Sequence, residues 1–399
     1  MMSSALLISR FAFDRRFNAA RAIAAPGSSE VIGVLPLLPC RTVATVAAQV
    51  LPLFAQPSES SGVDTHALFG ERADVYGDAC GKADSSGWVW VQLHADGYCG
   101  FVRQDGLALD TAASAEETSA ASTATASAAA ASSFLRVAAP RTIVYPRPSS
   151  KAAHIGALPL GAVVHVAHVE GAFAAITWPT HHDHAAIALS PDGEPVKEPL
   201  DGTALGFVWR AHLALPLSDW SRDWVAVAEQ FVGAPYLWGG KSWSGIDCSG
   251  LVQLCLATAG VFLPRDTDVM QAALVAALDD GTQSHSALPV GSSDHQADVA
   301  GSCISRQSGF HVESARGVSV RVGRLPADEP CLRRGDLVYW RGHVAVMVDE
   351  QRVLHANGHH MAVSIEPLAA VCARAVEAAP NAGGGVASMW RLDIRSREK

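Results

Sequence analysis

Pro235-Tyr236-Leu237-Trp238-Gly239-Gly240, Gly245-Ile246-Asp247-Cys248-Ser249-Gly250-Leu251-Val252 and Leu263-Pro264-Arg265-Asp266 follow one another within 32 residues. Aromatic and glycine residues lead to a cysteine, and the cysteine opens an apolar run, Leu251-Val252-Gln253-Leu254-Cys255-Leu256. That run predicts a buried helix, with Asp247 or Ser249 able to cap its start and Gly260 close to its end. A thiol in the first turn of a helix faces unpaired backbone N–H groups and the positive end of the dipole, both of which favour thiolate. Cys248 is therefore the reactive thiol on this reading, and Cys255, further along the helix, is a packed one.

A thiolate nucleophile needs a base, and the base needs an orienting group. Three apolar, strand-like runs follow: Arg334-Gly335-Asp336-Leu337-Val338-Tyr339-Trp340, Gly342-His343-Val344-Ala345-Val346-Met347-Val348 and Val353-Leu354-His355-Ala356-Asn357. Turn residues between them predict an antiparallel meander with His343 and His355 on neighbouring strands, the register being left open. One isolated strand histidine reads as packing or surface. A cysteine at a helix start with two histidines on consecutive strands reads as a catalytic set.

Taken in order, these motifs resemble those of the NlpC/P60 cysteine peptidases, from about Trp220 to the C-terminus. The resemblance implies an α+β, papain-like catalytic domain that cleaves peptidoglycan (murein) stem peptides, typically between γ-D-glutamate and a diamino acid. It implies Cys248 as nucleophile, His343 as base and His355 as the group orienting it. It also makes Tyr236 an oxyanion-side hydroxyl, and Trp238, Asp247, Ser249 and Asp266 substrate contacts.

Ahead of this domain the chain is rich in short strands. From Arg41 to about Leu109, Ala73-Asp74-Val75-Tyr76, Trp88-Val89-Trp90-Val91-Gln92-Leu93 and Gly100-Phe101-Val102 are separated by Gly and Asp turns, which predicts a small β-barrel. A looser copy spans about Phe134 to Pro216, where Gly206-Phe207-Val208 echoes Gly100-Phe101-Val102. Both copies resemble bacterial SH3-like domains. The expected order is an N-terminal arm (1–40), a first SH3-like domain (41–109), a linker (110–133), a second SH3-like domain (134–216) and the catalytic domain (220–399). Thr111 to Ser133 is almost entirely Ala, Ser, Thr and Glu and has nothing to bury, so it predicts a mobile linker, with a helix in its Ala-rich part as the alternative.

With 399 residues, 17% charged, and a formal charge of −9, the chain has room for several cores and lacks the basic surface that nucleic acid demands. No apolar run approaches the roughly 20 residues of a membrane span. The eight cysteines form no CxxC pattern, so neither zinc nor a disulfide framework is expected, and no cofactor. Cys80 and Cys99 would pair only if they met across a small barrel. His181-His182-Asp183-His184, the one cluster with metal-ligand character, is flanked by turn residues and reads as a polar loop. Scattered thiols and no recognisable export segment predict a cytoplasmic protein. Residues 1–25, whose only acid is Asp14, leave an organelle presequence or export through an atypical N-terminus as the alternative to an arm anchored by Phe11, Phe13 and Phe17. A Ser/Gly/Asp/His-rich stretch at about 279–324 interrupts the catalytic domain and predicts a disordered insertion.

Members of the family that process free peptides close one end of the cleft with the first SH3-like domain and recognise the peptide's amine there. By that resemblance Glu71 and Tyr98 become candidate amine contacts, the bland alternatives being a surface ion pair and barrel packing. The competing functional readings are amidase or acyl-transfer chemistry on the same fold, and a non-catalytic wall-binding protein. The intact set of Cys248, His343 and His355 speaks against the last. Murein-derived peptides are the expected partners, and the oligomeric state is open.

Overall fold

The computed structural model describes Arg16 and residues 41–76, 87–109, 134–179, 203–215, 221, 223–279, 312–315, 318–326, 331–379 and 385–396. Phe11, Phe13 and Phe17, the linker, His181 to His184, Cys80 and most of the insertion lie outside the described residues.

Period-two alternation builds the first barrel. Its strands are β1 (Arg41–Val46), β2 (Val50–Phe54), β3 (Val63–Leu68), β4 (Arg72–Tyr76), β5 (Trp88–Leu93), β6 (Cys99–Arg103) and β7 (Leu107–Leu109). They form one sheet in the order β3-β2-β6-β5-β4-β1-β7. Along β5, Val89, Val91 and Leu93 enter the core with Leu53, Val75 and Val102. Trp90, on the other face, packs edge-on against its cross-strand partner Phe101 at 4.8 Å between ring centroids.

The second copy comprises β8 (Phe134–Val137), β9 (Arg141–Val144), β10 (Gly156–Pro159), β11 (Val163–Glu170), β12 (Phe173–Pro179), β13 (Thr203–Trp209) and β14 (Leu213–Ala214). Five of these form the sheet β13-β12-β11-β8-β14, and β9 pairs with β10. It ends as the first barrel does, in a strand, a single 3₁₀ turn and a short strand: Cys99–Arg103, Gln104–Gly106, Leu107–Leu109 in one and Thr203–Trp209, Arg210–His212, Leu213–Ala214 in the other.

In the C-terminal region, α1 (Trp224–Glu229) and the short pair β15 (Lys241–Ser242) and β16 (Gly245–Ile246) precede α2 (Cys248–Ala257). Then come β17 (Val261–Phe262), α3 (Thr267–Asp279), β18 (Glu313–Ser314), β19 (Val318–Arg324), β20 (Leu337–Trp340), β21 (His343–Met347), β22 (Arg352–Asn357), β23 (Ala362–Pro367), α4 (Leu368–Ala378) and β24 (Ser388–Ser396). The main sheet runs β19-β24-β20-β21-β22-β23 and is antiparallel throughout. Residues 248 to 256 of α2 are all buried, as expected for a helix apolar on every side. This is the α+β arrangement expected from the motifs.

One expectation is corrected here. The end of the inserted stretch is ordered: Val318 to Arg324 forms β19, paired along its length with β24 from Val318↔Ser396 to Arg324↔Trp390. The signal was local, in the alternation Val318-Ser319-Val320-Arg321-Val322.

Each copy has a core of its own, and one leucine from each enters the core of the C-terminal domain. Leu68 and Leu160, from the two copies, pack with Leu254, Phe231 and Ile246 of the catalytic domain. Backbones also meet closely. Gly70 has φ of +79° and would place a Cβ 2.0 Å from the Val163 carbonyl oxygen, so only glycine fits there. Gly239 has φ of +75°, and its Cβ would lie 2.6 Å from the carbonyl oxygen of Val63 on the first barrel.

Candidate active site

Asp247 caps α2: its Oδ1 accepts the Gly250 N–H at 2.7 Å, a bond typically worth about 1 kcal/mol. Its Oδ2 accepts the Gly239 N–H at 2.9 Å and Arg265 Nη2 at 2.8 Å. Arg265, fully buried, also donates to Ser249 Oγ at 2.8 Å, to Thr65 Oγ1 at 2.9 Å and to the Gly240 carbonyl at 3.1 Å. Asp247 and Ser249, expected as substrate contacts, therefore spend their buried side chains on this web. They hold the start of the helix and tie it to β3. Trp238 is 70% exposed on the neighbouring loop and remains open to a ligand.

Cys248 begins the helix as expected, but its charge state is not the one the sequence suggested. Burial first, then the Asp247 carboxylate, push its thiol up to about 11. The Val344 N–H donates to the sulfur, and Thr267 Oγ1 lies 3.8 Å from it; both pull the other way and lose. Desolvation outweighs these hydrogen bonds because the side chain is enclosed. At neutral pH the sulfur keeps its proton. Two phenols lie within electrostatic reach of it. Tyr236 is raised to about 12, by burial and then by Cys248. Tyr339 is fully buried, and its hydroxyl has no partner among the described residues.

The meander resolves the open register. Val346 pairs with Leu354 and His355 with Ser364, so antiparallel counting sets His343, His355 and Glu366 diagonally on one face of three adjacent strands. His343 Nε2 lies 2.8 Å from His355 Nδ1, and His355 Nε2 lies 2.9 Å from Glu366 Oε1. Burial, then His355, lower His343 to about 3, and burial also lowers His355. Burial alone would raise Glu366, but His355, His360 and Arg374 hold it at about 2. Sequence reading missed Glu366, because a Glu one strand beyond His355 carries no motif.

A second cluster lies beside Cys248. Asp266 and Asp268 flank Thr267, the residue in contact with the sulfur. From the first barrel, the Tyr98 hydroxyl donates to Asp266 Oδ2 at 3.2 Å. Tyr98 is held by the Asp96 turn, whose Oδ1 accepts the Tyr98 N–H at 3.1 Å and whose Oδ2 accepts from Gln253 of α2 at 3.0 Å. Burial raises both Tyr98 and Asp266, so the phenol remains a neutral donor. Asp64 on β3 also lies within electrostatic range of Tyr98.

Glu71 is not part of this cluster. Its carboxylate accepts the Leu68 N–H at 3.0 Å and Lys241 Nζ at 3.4 Å, all buried between the barrel and β15. The expectation that it meets the substrate is corrected: a position beside a turn did not reveal that a lysine 170 residues away takes it. Among the described residues no group of three His, Cys, Asp or Glu could hold a metal ion, and no helix is long and apolar enough to cross a membrane.

Residues 233–375 match the NlpC/P60 family, and residues 53–107 match the bacterial dipeptidyl-peptidase SH3 domain. The chain thus carries an NlpC/P60 domain behind an SH3 domain of that bacterial type. Dipeptidyl-peptidase 6 of Lysinibacillus sphaericus is 43% identical over 133 residues, 33% of this chain and 31% of that protein. Probable endopeptidase Rv2190c of Mycobacterium tuberculosis (strain ATCC 25618 / H37Rv) is 33% identical over 108 residues, 25% of each chain. The alignments thus span no more than a third of these relatives' length. The crystal structure of an NlpC/P60 family protein from Bacillus cereus ATCC 10987 is similar at 16% identity, covering 87% of this chain and 98% of that one, with a TM-score of 0.49.

Proposed function

We propose that this protein is a cysteine endopeptidase that hydrolyses murein stem peptides at the γ-D-Glu–diamino acid bond and favours peptides with a free N-terminal amine. The domain match and the relatives named endopeptidase and dipeptidyl-peptidase support the reaction class. The observation that carries the amine preference is the Tyr98–Asp266 pair, with Thr267 joining Asp266 to the sulfur of Cys248. A partly buried carboxylate raised by desolvation gains most from a cation beside it.

In this reading His343 takes the thiol proton as sulfur attacks the amide carbonyl, since the resting thiol and imidazole are both neutral. The oxyanion meets the Cys248 N–H and the Tyr236 hydroxyl, one such donor being worth about 2.7–4 kcal/mol of barrier. His343 then gives its proton to the leaving amine, and water, deprotonated by the same imidazole, releases the acyl group from sulfur. The test is mass spectrometry of L-Ala-γ-D-Glu-diamino acid peptides, free and N-acetylated, after incubation with the protein. Cleavage of the free peptide alone is expected. Equal cleavage of both removes the amine site and leaves the chemistry standing.

A further inference from the structure

Glu366 faces the rear of the histidine pair, and the geometry points to it as a positioning residue that sets which nitrogen of His343 is basic. This rests on the proposed roles of Cys248 and His343. Glu366, held at about 2, is an acceptor only, so His355 Nε2 must carry a proton toward it. His355 is neutral, so its Nδ1 is a lone pair and accepts from His343 Nε2–H. His343 is neutral as well, which leaves its Nδ1 unprotonated to receive the thiol proton. When His343 becomes imidazolium, the Glu366 charge acts on it through His355. Arg374 Nη2 meets both carboxylate oxygens, at 2.8 and 2.7 Å, and holds the carboxylate toward the histidines.

Glu366→Gln keeps the shape but removes the anion behind His355, and in either orientation its amide N–H₂ meets Arg374 Nη2, which reaches both oxygens of the native carboxylate. The expected result is a fall in kcat of about 10–100-fold with KM unchanged. The acid limb of kcat/KM should also move to lower pH, because the imidazolium loses its anion. Glu366→Asp, which keeps the charge, should hold the limb in its wild-type place even if kcat falls. A Gln variant whose pH profile superimposes on wild type overturns the inference. If the Gln variant does not fold, a limb displaced in the Asp variant overturns it equally.

A separate observation concerns Arg16. Its Nη1 lies 2.6 Å from Asp266 Oδ2, the same oxygen that the Tyr98 hydroxyl reaches, and 3.0 Å from Asp268 Oδ1. Its Nη2 lies 2.9 Å from Asp268 Oδ2. The side chain is only 18% exposed, and the fork on Asp268 is two-pronged, the stronger geometry for such pairs. We infer that Arg16 is an internal competitor, a guanidinium of this chain seated where the substrate ammonium would go. It rests on the amine site proposed above. Both cations cannot bond Asp266 Oδ2 in one place, so substrate binds only the fraction of molecules in which Arg16 has left.

Kinetics of the full chain and of Arg16→Ala on free and N-acetylated peptide test this. The variant should lower KM for the free peptide about three- to tenfold and leave kcat unchanged. An unchanged or raised KM, with the free peptide still preferred, overturns the competitor while sparing the amine site. Equal cleavage of the two peptides by both proteins overturns the site and the competitor together.

Discussion

Tyr98 and Asp266, 168 residues apart, meet at 3.2 Å, hydroxyl to carboxylate. One comes from a barrel and the other from the loop leading into α3, so the pair exists only while the two domains are joined.

Removing that hydroxyl isolates its contribution. Tyr98→Phe keeps the ring buried and loses one hydrogen bond to a charged group. KM for the free peptide should rise about tenfold, the equivalent of roughly 1.4 kcal/mol, with kcat nearly unchanged. A variant with wild-type KM would show that the hydroxyl serves packing alone.

The enclosed thiol has a pH signature. With Cys248 raised to about 11, the thiolate fraction grows about tenfold per pH unit between neutrality and that value. Iodoacetamide alkylation of Cys248 in the free protein should therefore accelerate through pH 8–10 and abolish activity as it completes. A rate already flat from pH 5 would indicate a preformed thiolate instead. Cys255 should stay unlabelled, being fully buried and raised by desolvation.

Arg265, fully buried, joins Asp247, Ser249 and Thr65. Arg265→Met leaves the Asp247 carboxylate buried and uncompensated, and unfolding in urea should reveal a loss of about 3–5 kcal/mol. Lysine should not rescue it, since one ammonium cannot span the donors of a guanidinium fork. Wild-type stability in either variant would mean that the web is incidental.

Gly239→Ala places a methyl against the Val63 carbonyl in a left-handed backbone. It should raise KM for free peptides while leaving the alkylation rate of Cys248 within about twofold. Parallel loss of both would place the damage in the catalytic domain itself.

What the sequence displayed depended on how far each residue's partners lie along the chain. Cys248 and the two histidines were legible because capping residue, thiol and alternating strands are neighbours in sequence. The diagonal of His343 and His355 was left open by the sequence, because it depends on the register that the turn from Val348 to Arg352 sets between their strands. Glu366 was invisible because its meaning comes from lying across the sheet from His355. Glu71 misled because turn position says nothing of where a carboxylate points, and Lys241 claimed it. The thiol's proton was misjudged for a related reason: the dipole is a local property, and enclosure belongs to the tertiary fold. Strand β19 was the avoidable miss, since its three alternating valines were in plain view among polar residues.

Leu68 and Leu160, packed with Leu254 of the helix that begins at Cys248, bear on how such a chain is inherited and melts. Modules on flexible tethers can be cut apart and recombined. Here the catalytic domain, severed from both barrels, would present an open apolar socket to water where the two leucines had been. Heat should accordingly unfold barrels and catalytic domain in one calorimetric transition, and their exchange between relatives should succeed only as a block.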